Sequence, residues 1–182
     1  MTRFSIAAIA LAGLTGCSLL AQSANPLVDE VRFPYSLIRT NLLKMAEKMP
    51  AEFYSFRPTP EIETFVQRVS HIARADLSAC TGVLTNTVQP FSTAPAPATK
   101  AESIVLLKEA FAACDKAFNA TTDKNAFEQD SARIAGPFPP NATTRTRLFT
   151  LSNIVRHSNE VYGYMCVYLR LKGIVPPSSA PE

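Results

Sequence analysis

From Ile104 to Phe118 apolar side chains recur every three or four positions, at Ile104, Leu107, Phe111, Cys114 and Phe118. That spacing draws one apolar stripe down one side of a helix. Three other segments carry the same period, and no stretch alternates apolar and polar residues as a strand would. The first runs from about Leu27 to Lys48, with Asn25-Pro26 at its start and Val31, Ile38, Leu42 and Met45 in step. Pro34 lies inside it and predicts a kink or a late start. The second opens at Thr59-Pro60-Glu61, a hydroxyl cap followed by proline and an acid. Ile62, Val66, Val69, Ala73, Leu77 and Cys80 form its face, and it is expected to end near Thr81-Gly82. The third begins with Thr99-Lys100-Ala101-Glu102, a capping box, and reaches about Asn119. The fourth runs from about Thr144 to Lys172 and stops at Gly173, with Pro176-Pro177 behind it. Four helices without strands predict an all-α fold, a four-helix bundle.

The connectors refine the topology. Residues 84–98 have no period and are rich in proline. Antiparallel neighbours usually need only ~2–8 connecting residues. A helix of ~22 residues is ~33 Å long, and ~15 extended residues span ~50 Å. The second linker is therefore long enough to return along the bundle and set helices two and three parallel, although an antiparallel pair with a loose loop also satisfies the length. A second irregular stretch, residues 121–143, contains Gly-Pro-Phe-Pro-Pro at Gly136 to Pro140.

Of the 182 residues 47% are hydrophobic and 18% charged, a globular balance that the N-terminus inflates. Met1 to Ala24 sets Arg3 before an uncharged apolar stretch from Phe4 to Leu20, followed by small residues. This is the pattern of a secretory signal peptide, too short and interrupted for a transmembrane anchor. Ala21-Gln22-Ser23 favours cleavage near 23/24. Leu14-Thr15-Gly16-Cys17 has the form of a lipobox, which would make Cys17 a lipidated N-terminus. The leader segment is 1–23, cut near 23/24 in the first reading and before Cys17 in the second; both leave a bundle at 24–182, and both export it. Membrane contact is then expected only through a lipidated Cys17. A net charge of +3 without a Lys/Arg run does not suit a nucleic-acid partner.

Export places Cys80, Cys114 and Cys166 in an oxidising compartment, where one disulfide can form and one thiol is left over. Parallel packing of helices two and three brings Cys80 and Cys114 to the same end of the bundle. Antiparallel packing separates them by ~20 Å, beyond disulfide reach. A Cys80–Cys114 bridge is the expectation, with two buried apolar thiols as the alternative.

Helix one, the block MPAEFYSFRPTPEIETFVQRVSHIA and the closing HSNEVYGYMCVYLRLKGIVPPSS together resemble the DinB-like superfamily. The resemblance spans about Asn25 to Ser179. It implies an up-down-down-up bundle and a divalent metal such as Zn, Ni, Fe or Mn. The family's ligands are three histidines, one on helix two and two spaced HxxxH on helix four. Carried over, the positions fall on His71, His157 and Val161. The third is a departure, because valine offers no lone pair. HxxxH works because residues i and i+4 share one helix face, and a catalytic metal commonly takes about three protein ligands plus water. His71 and His157 are the only histidines in the chain. Glu160, at i+3 from His157, is the candidate substitute, or else a solvated carboxylate, and Asn153 is a weaker neutral donor.

Three functions follow. One is a metal-dependent enzyme, hydrolytic or thiol-transferring as the resemblance implies, with a site rebuilt from His71, His157 and Glu160. Another is a bundle that binds a small molecule or a protein in a groove lined by the histidines, Tyr162, Tyr164 and Tyr168, with the metal site degenerate. The last is an envelope structural protein. A homodimer is compatible with each.

Overall fold

The computed structural model describes residues 23–90, 95–130 and 145–180. The leader with its cleavage site and Cys17, and the Gly136–Pro140 stretch, lie outside the described residues. Four helices make up the fold: α1 (Pro26–Lys48), α2 (Phe65–Thr85), α3 (Lys100–Ala120) and α4 (Arg147–Leu171). Among the described residues no helix is long and apolar enough to cross a membrane.

Side-chain contacts fix the direction of each helix. The start of α1 meets the end of α3: Tyr35 OH donates to Phe111 O and Asp115 Oδ1, and Arg32 reaches Asn119 and Phe118 O. At the other end Lys100 Nζ donates to Glu47 O and Met49 O. These two helices are therefore antiparallel. The start of α2 meets the end of α4, where Tyr168 OH donates to Glu63 O and Arg68 lies over the Tyr164 ring. Cys80 and Cys114, two-thirds of the way along α2 and α3, are joined by a disulfide with Cα atoms 4.8 Å apart, so α2 and α3 run parallel. The order is up-down-down-up, with the long second connector returning between parallel helices.

The core lies where the four stripes converge. Leu42, Met45, Phe65, Ile72, Leu107, Phe111, Phe118, Leu151, Met165 and Leu169 are fully buried. Each large apolar side chain so removed from water contributes roughly 1.5–3 kcal/mol. The Tyr35 and Phe118 rings stack with centroids 4.4 Å apart, and the Tyr35 hydroxyl at the rim is satisfied by α3.

Several boundaries differ from the sequence expectation. Helix α2 starts at Phe65, not at Thr59-Pro60-Glu61. Thr64 and Gln67 make a complete capping box, and the connector takes two further N–H groups, Phe65 N donating to Phe56 O and Val66 N to Tyr54 O. With those donors satisfied, the Thr59 segment forms a turn instead, closed by Ile62 N on Thr59 O. The far end runs past a buried Gly82 to Thr85, because Asn86 supplies the left-handed cap at φ 52°. Helix α1 passes through Pro34 without a break in assignment. The carbonyl that Pro34 leaves unpaired belongs to exposed Glu30, where water can reach it. Helix α4 begins at Arg147, capped by Thr146 accepting from Phe149 N. A two-residue antiparallel pair, β1 (Gln129–Asp130) with β2 (Arg145–Thr146), precedes it, a strand too short to give a periodic signal. At the C-terminal end of α4, Lys172 Nζ sits 3.8 Å from the Phe56 centroid and 4.8 Å from that of Phe53. This cation–aromatic contact fastens the α1–α2 connector to α4.

Candidate functional site

His71 is a turn and a half into α2 and His157 is near the middle of α4. Antiparallel packing of those helices brings the rings together, Nε2 to Nε2 at 3.1 Å, with centroids 5.3 Å apart and planes at 62°. Both residues are half-buried. One Nε2 must carry a proton and the other must accept it. The Glu160 carboxylate lies 3.7 Å from His157 Nδ1 and favours the proton on that nitrogen. His157 Nε2 is then the acceptor and His71 Nε2–H the donor. Burial, and then the neighbouring His71, hold His157 below the usual histidine range, with Glu160 pulling the other way.

Glu160 is itself fixed. Tyr164 OH donates to its Oε1 at 2.8 Å, and Arg156 Nη1 lies 3.3 Å from its Oε2. The Tyr164 hydroxyl is the largest influence keeping this carboxylate acidic, with His157 and Arg156 adding to it. Arg156 also holds Asn153 Oδ1, at 3.0 and 3.1 Å.

Two imidazole nitrogens 3.1 Å apart, each ~2.0–2.1 Å from one ion, would subtend roughly 95–102° at it. That is a workable angle for adjacent ligands. The next turn of α4 carries Val161, 1% exposed and packed into the core. Glu160 faces the Nδ1 edge of His157, the edge away from His71, so its oxygen stands where it orients the ring rather than where it would share an ion with both Nε2 atoms. Asn153 is occupied by Arg156. Among the described residues no group of three or more His, Cys, Asp or Glu comes together to hold a metal. The groove therefore holds two imidazoles side by side, and the residue one turn beyond His157 is a buried valine.

Behind the pair, Ser158 donates to buried Asp76 on α2, at 3.2 Å to Oδ2. Asp76 is 1% exposed, and burial pushes its carboxyl up to about 8, against the opposing hydrogen bond from Ser158. This pair ties the residue after His157 to α2 and sets the helix register at the site. Asp76 is absent from the apolar stripe assigned to this helix, yet it carries a sequence signal: an acid inside the apolar row of Val69, Ala73 and Cys80.

The three groove tyrosines separate. Tyr164 lies in the α2/α4 groove, half-exposed, and Tyr168 is buried beneath it. Tyr162 is turned away, its hydroxyl hydrogen-bonded to Ser178 in the C-terminal segment. The Cys80–Cys114 bridge is fully buried. Cys166 is a free, half-buried thiol that burial pushes up in pKa.

A four-helix up-down-down-up bundle with histidines facing across α2 and α4 defines a class of small helical-bundle proteins. The model of the DinB superfamily matches residues 35–165, and the chain belongs to that superfamily. Its fold is similar to that of a DinB-like protein from Bacillus cereus ATCC 10987, with a TM-score of 0.66 at 17% identity, covering 82% of this chain and 95% of that one. A DinB-like protein from Bacillus subtilis gives a TM-score of 0.61 at 17% identity, covering 79% and 92%. At that identity the likeness speaks for the fold alone. No curated protein matches the chain.

Proposed function

We infer that this chain is an exported DinB-like bundle whose metal position is weakened to a two-histidine pair. It works as a binding protein of the cell envelope rather than as a three-histidine metalloenzyme. The observation that carries the reading is Val161, buried one turn beyond His157 where a third imidazole would stand. Export is supported by Arg3 and the apolar run from Phe4 to Leu20 ahead of the bundle. An oxidising compartment also suits a Cys80–Cys114 bridge. A divalent ion, Zn, Ni, Fe or Mn, would be held only by His71 and His157, and when bound it would act as a Lewis acid with its other positions open to water or ligand. The chain's own groups orient His157 through Glu160 and close the third position with Val161.

The chain from residue 24, purified without chelator, tests the reading by its content of Zn, Ni, Fe and Mn. The expected content is well below one ion per chain, unchanged by His157→Ala. One ion per chain that disappears in His157→Ala would overturn it and favour the rebuilt enzyme with Glu160.

A further inference from the structure

The groove that holds the histidines continues one turn toward the start of α2 and opens into a cleft of about 290 Å³, lined by Pro58, Ile62, Arg68, Tyr164, Val167 and Tyr168. Its walls are apolar or aromatic apart from Arg68. On α4, Tyr164, Val167 and Leu171 follow at i, i+3 and i+7 and are 49%, 52% and 58% exposed. A helix surface facing only water would carry polar residues in such a row.

Arg68 enters this apolar wall with its hydrogen bonding incomplete. Its Nη1 lies 3.2 Å from Glu63 Oε2, on one edge of the guanidinium. Its Nε has no acceptor among the described residues and is shut off from water. The guanidinium carbon rests 5.5 Å from the Tyr164 centroid, and that ring is half-exposed and able to give way. A buried donor without an acceptor is costly, and a charged one more so. A carboxylate entering the cleft meets the edge that Glu63 leaves open, and guanidinium–carboxylate pairs favour two parallel hydrogen bonds.

We propose that the cleft beside Arg68 binds a small organic carboxylate with a flat or branched apolar body. The body lies between Ile62, Val167 and the two tyrosine rings, and the carboxylate takes the open edge of Arg68. Tyr164 links this cleft to the histidine pair, since its hydroxyl holds the carboxylate that orients His157. The proposal names the ligand class for the binding role inferred above. It rests on that role but not on the metal content, so the two can fail separately.

The test is a protein-observed NMR titration of the chain from residue 24, in the presence of EDTA, with three probes that differ only in the head group: 3-phenylpropionate, 3-phenylpropanol and 3-phenylpropylamine. Saturable shifts centred on Ile62, Tyr164 and Val167 are expected. The acid should bind about threefold or more tighter than the alcohol, and the amine weakest, as one half-exposed charge pair permits. Arg68→Gln should erase the preference for the acid over the alcohol. Val167→Asp, a surface change that keeps the fold, should weaken the acid and the alcohol. Equal binding of the three probes would overturn the proposal, as would shifts that do not saturate or that centre elsewhere. A preference for the acid that survives in Arg68→Gln would overturn the role of Arg68. Metal analysis of the same sample reads the weakened-site claim independently.

Discussion

His71 and His157 face each other Nε2 to Nε2 at 3.1 Å, each on its own helix, and Val161 is buried one turn further along α4. The pair is spaced as adjacent ligands of one ion are, and we read the buried Val161 as standing where a third would be. In the metal-free protein the contact is a histidine–histidine hydrogen bond whose direction Glu160 sets.

Glu160 acts on His157 through charge and orientation. Glu160→Gln removes the group that pulls His157 upward, so the imidazole should titrate at a lower pH than in the parent protein. Long-range proton–nitrogen NMR of the ring reads this directly. Global stability should hardly change, because Glu160 is exposed. An unchanged or higher His157 titration would contradict the orienting role.

The depressed His157 gives stability a defined pH dependence. The folded ring resists protonation, while the unfolded imidazole accepts a proton near ~6.5. Its contribution is therefore present above that pH and is lost as pH falls from there through the lower folded value. His157→Gln should flatten the acid side of a denaturation-midpoint profile. A profile as steep as the parent's would assign that slope to other groups.

Asp76 works with the opposite sign. Its folded carboxyl stays protonated up to about 8, while the unfolded one ionises near ~3.9. Stability from this group is full below the unfolded value and falls as pH rises toward 8. Asp76→Asn keeps a partner for Ser158 and removes the ionisation. It should raise stability at pH 8, by on the order of a few kcal/mol, and leave it nearly unchanged at pH 4. Urea denaturation at the two pH values is the check, and equal effects at both would refute it.

The disulfide closes a loop with a sequence separation of 34. Chain-entropy reasoning puts its contribution at ~3–4 kcal/mol. The double substitution Cys80→Ala with Cys114→Ala should lower the denaturation free energy by about that amount. Thiol counting on the unreduced, denatured chain from residue 24 should find only Cys166, and three thiols would contradict the bridge.

The sequence conveyed the bundle because each helix buries one stripe, and a stripe is a local, periodic property. The connector over residues 84–98 is long enough for a parallel return but also fits an antiparallel pair, so its length alone left the topology open. The start of α2 was open too: Thr59-Pro60-Glu61 and Thr64–Gln67 are both sound caps, and what decides between them is that Tyr54 O and Phe56 O fold back onto Val66 N and Phe65 N. That contact is tertiary. At the site, His71 shares its helix face with Thr64, Gln67, Ala75 and Ser78, small or polar side chains that give no apolar signal pointing it inward. For Glu160 the spacing left a ligand and a solvated carboxylate both open; which edge of the His157 ring it faces depends on a rotamer held by Tyr164 and Arg156, which spacing alone does not reveal. Arg68 carried no signal, since a single arginine on a helix is ordinary until its surroundings are known.

The central claim is that one side chain, Val161, separates this groove from a three-histidine site. The most direct measurement is the Zn affinity of Val161→His against the parent chain, by competition with a chromophoric chelator. The larger buried ring should cost about 1–3 kcal/mol of stability without metal. With metal, the third imidazole should tighten binding on the order of 100-fold, about 2.8 kcal/mol, and recover the lost stability. Equal, weak affinity in both proteins would contradict the account, as would a parent chain that already binds one Zn as tightly as the variant.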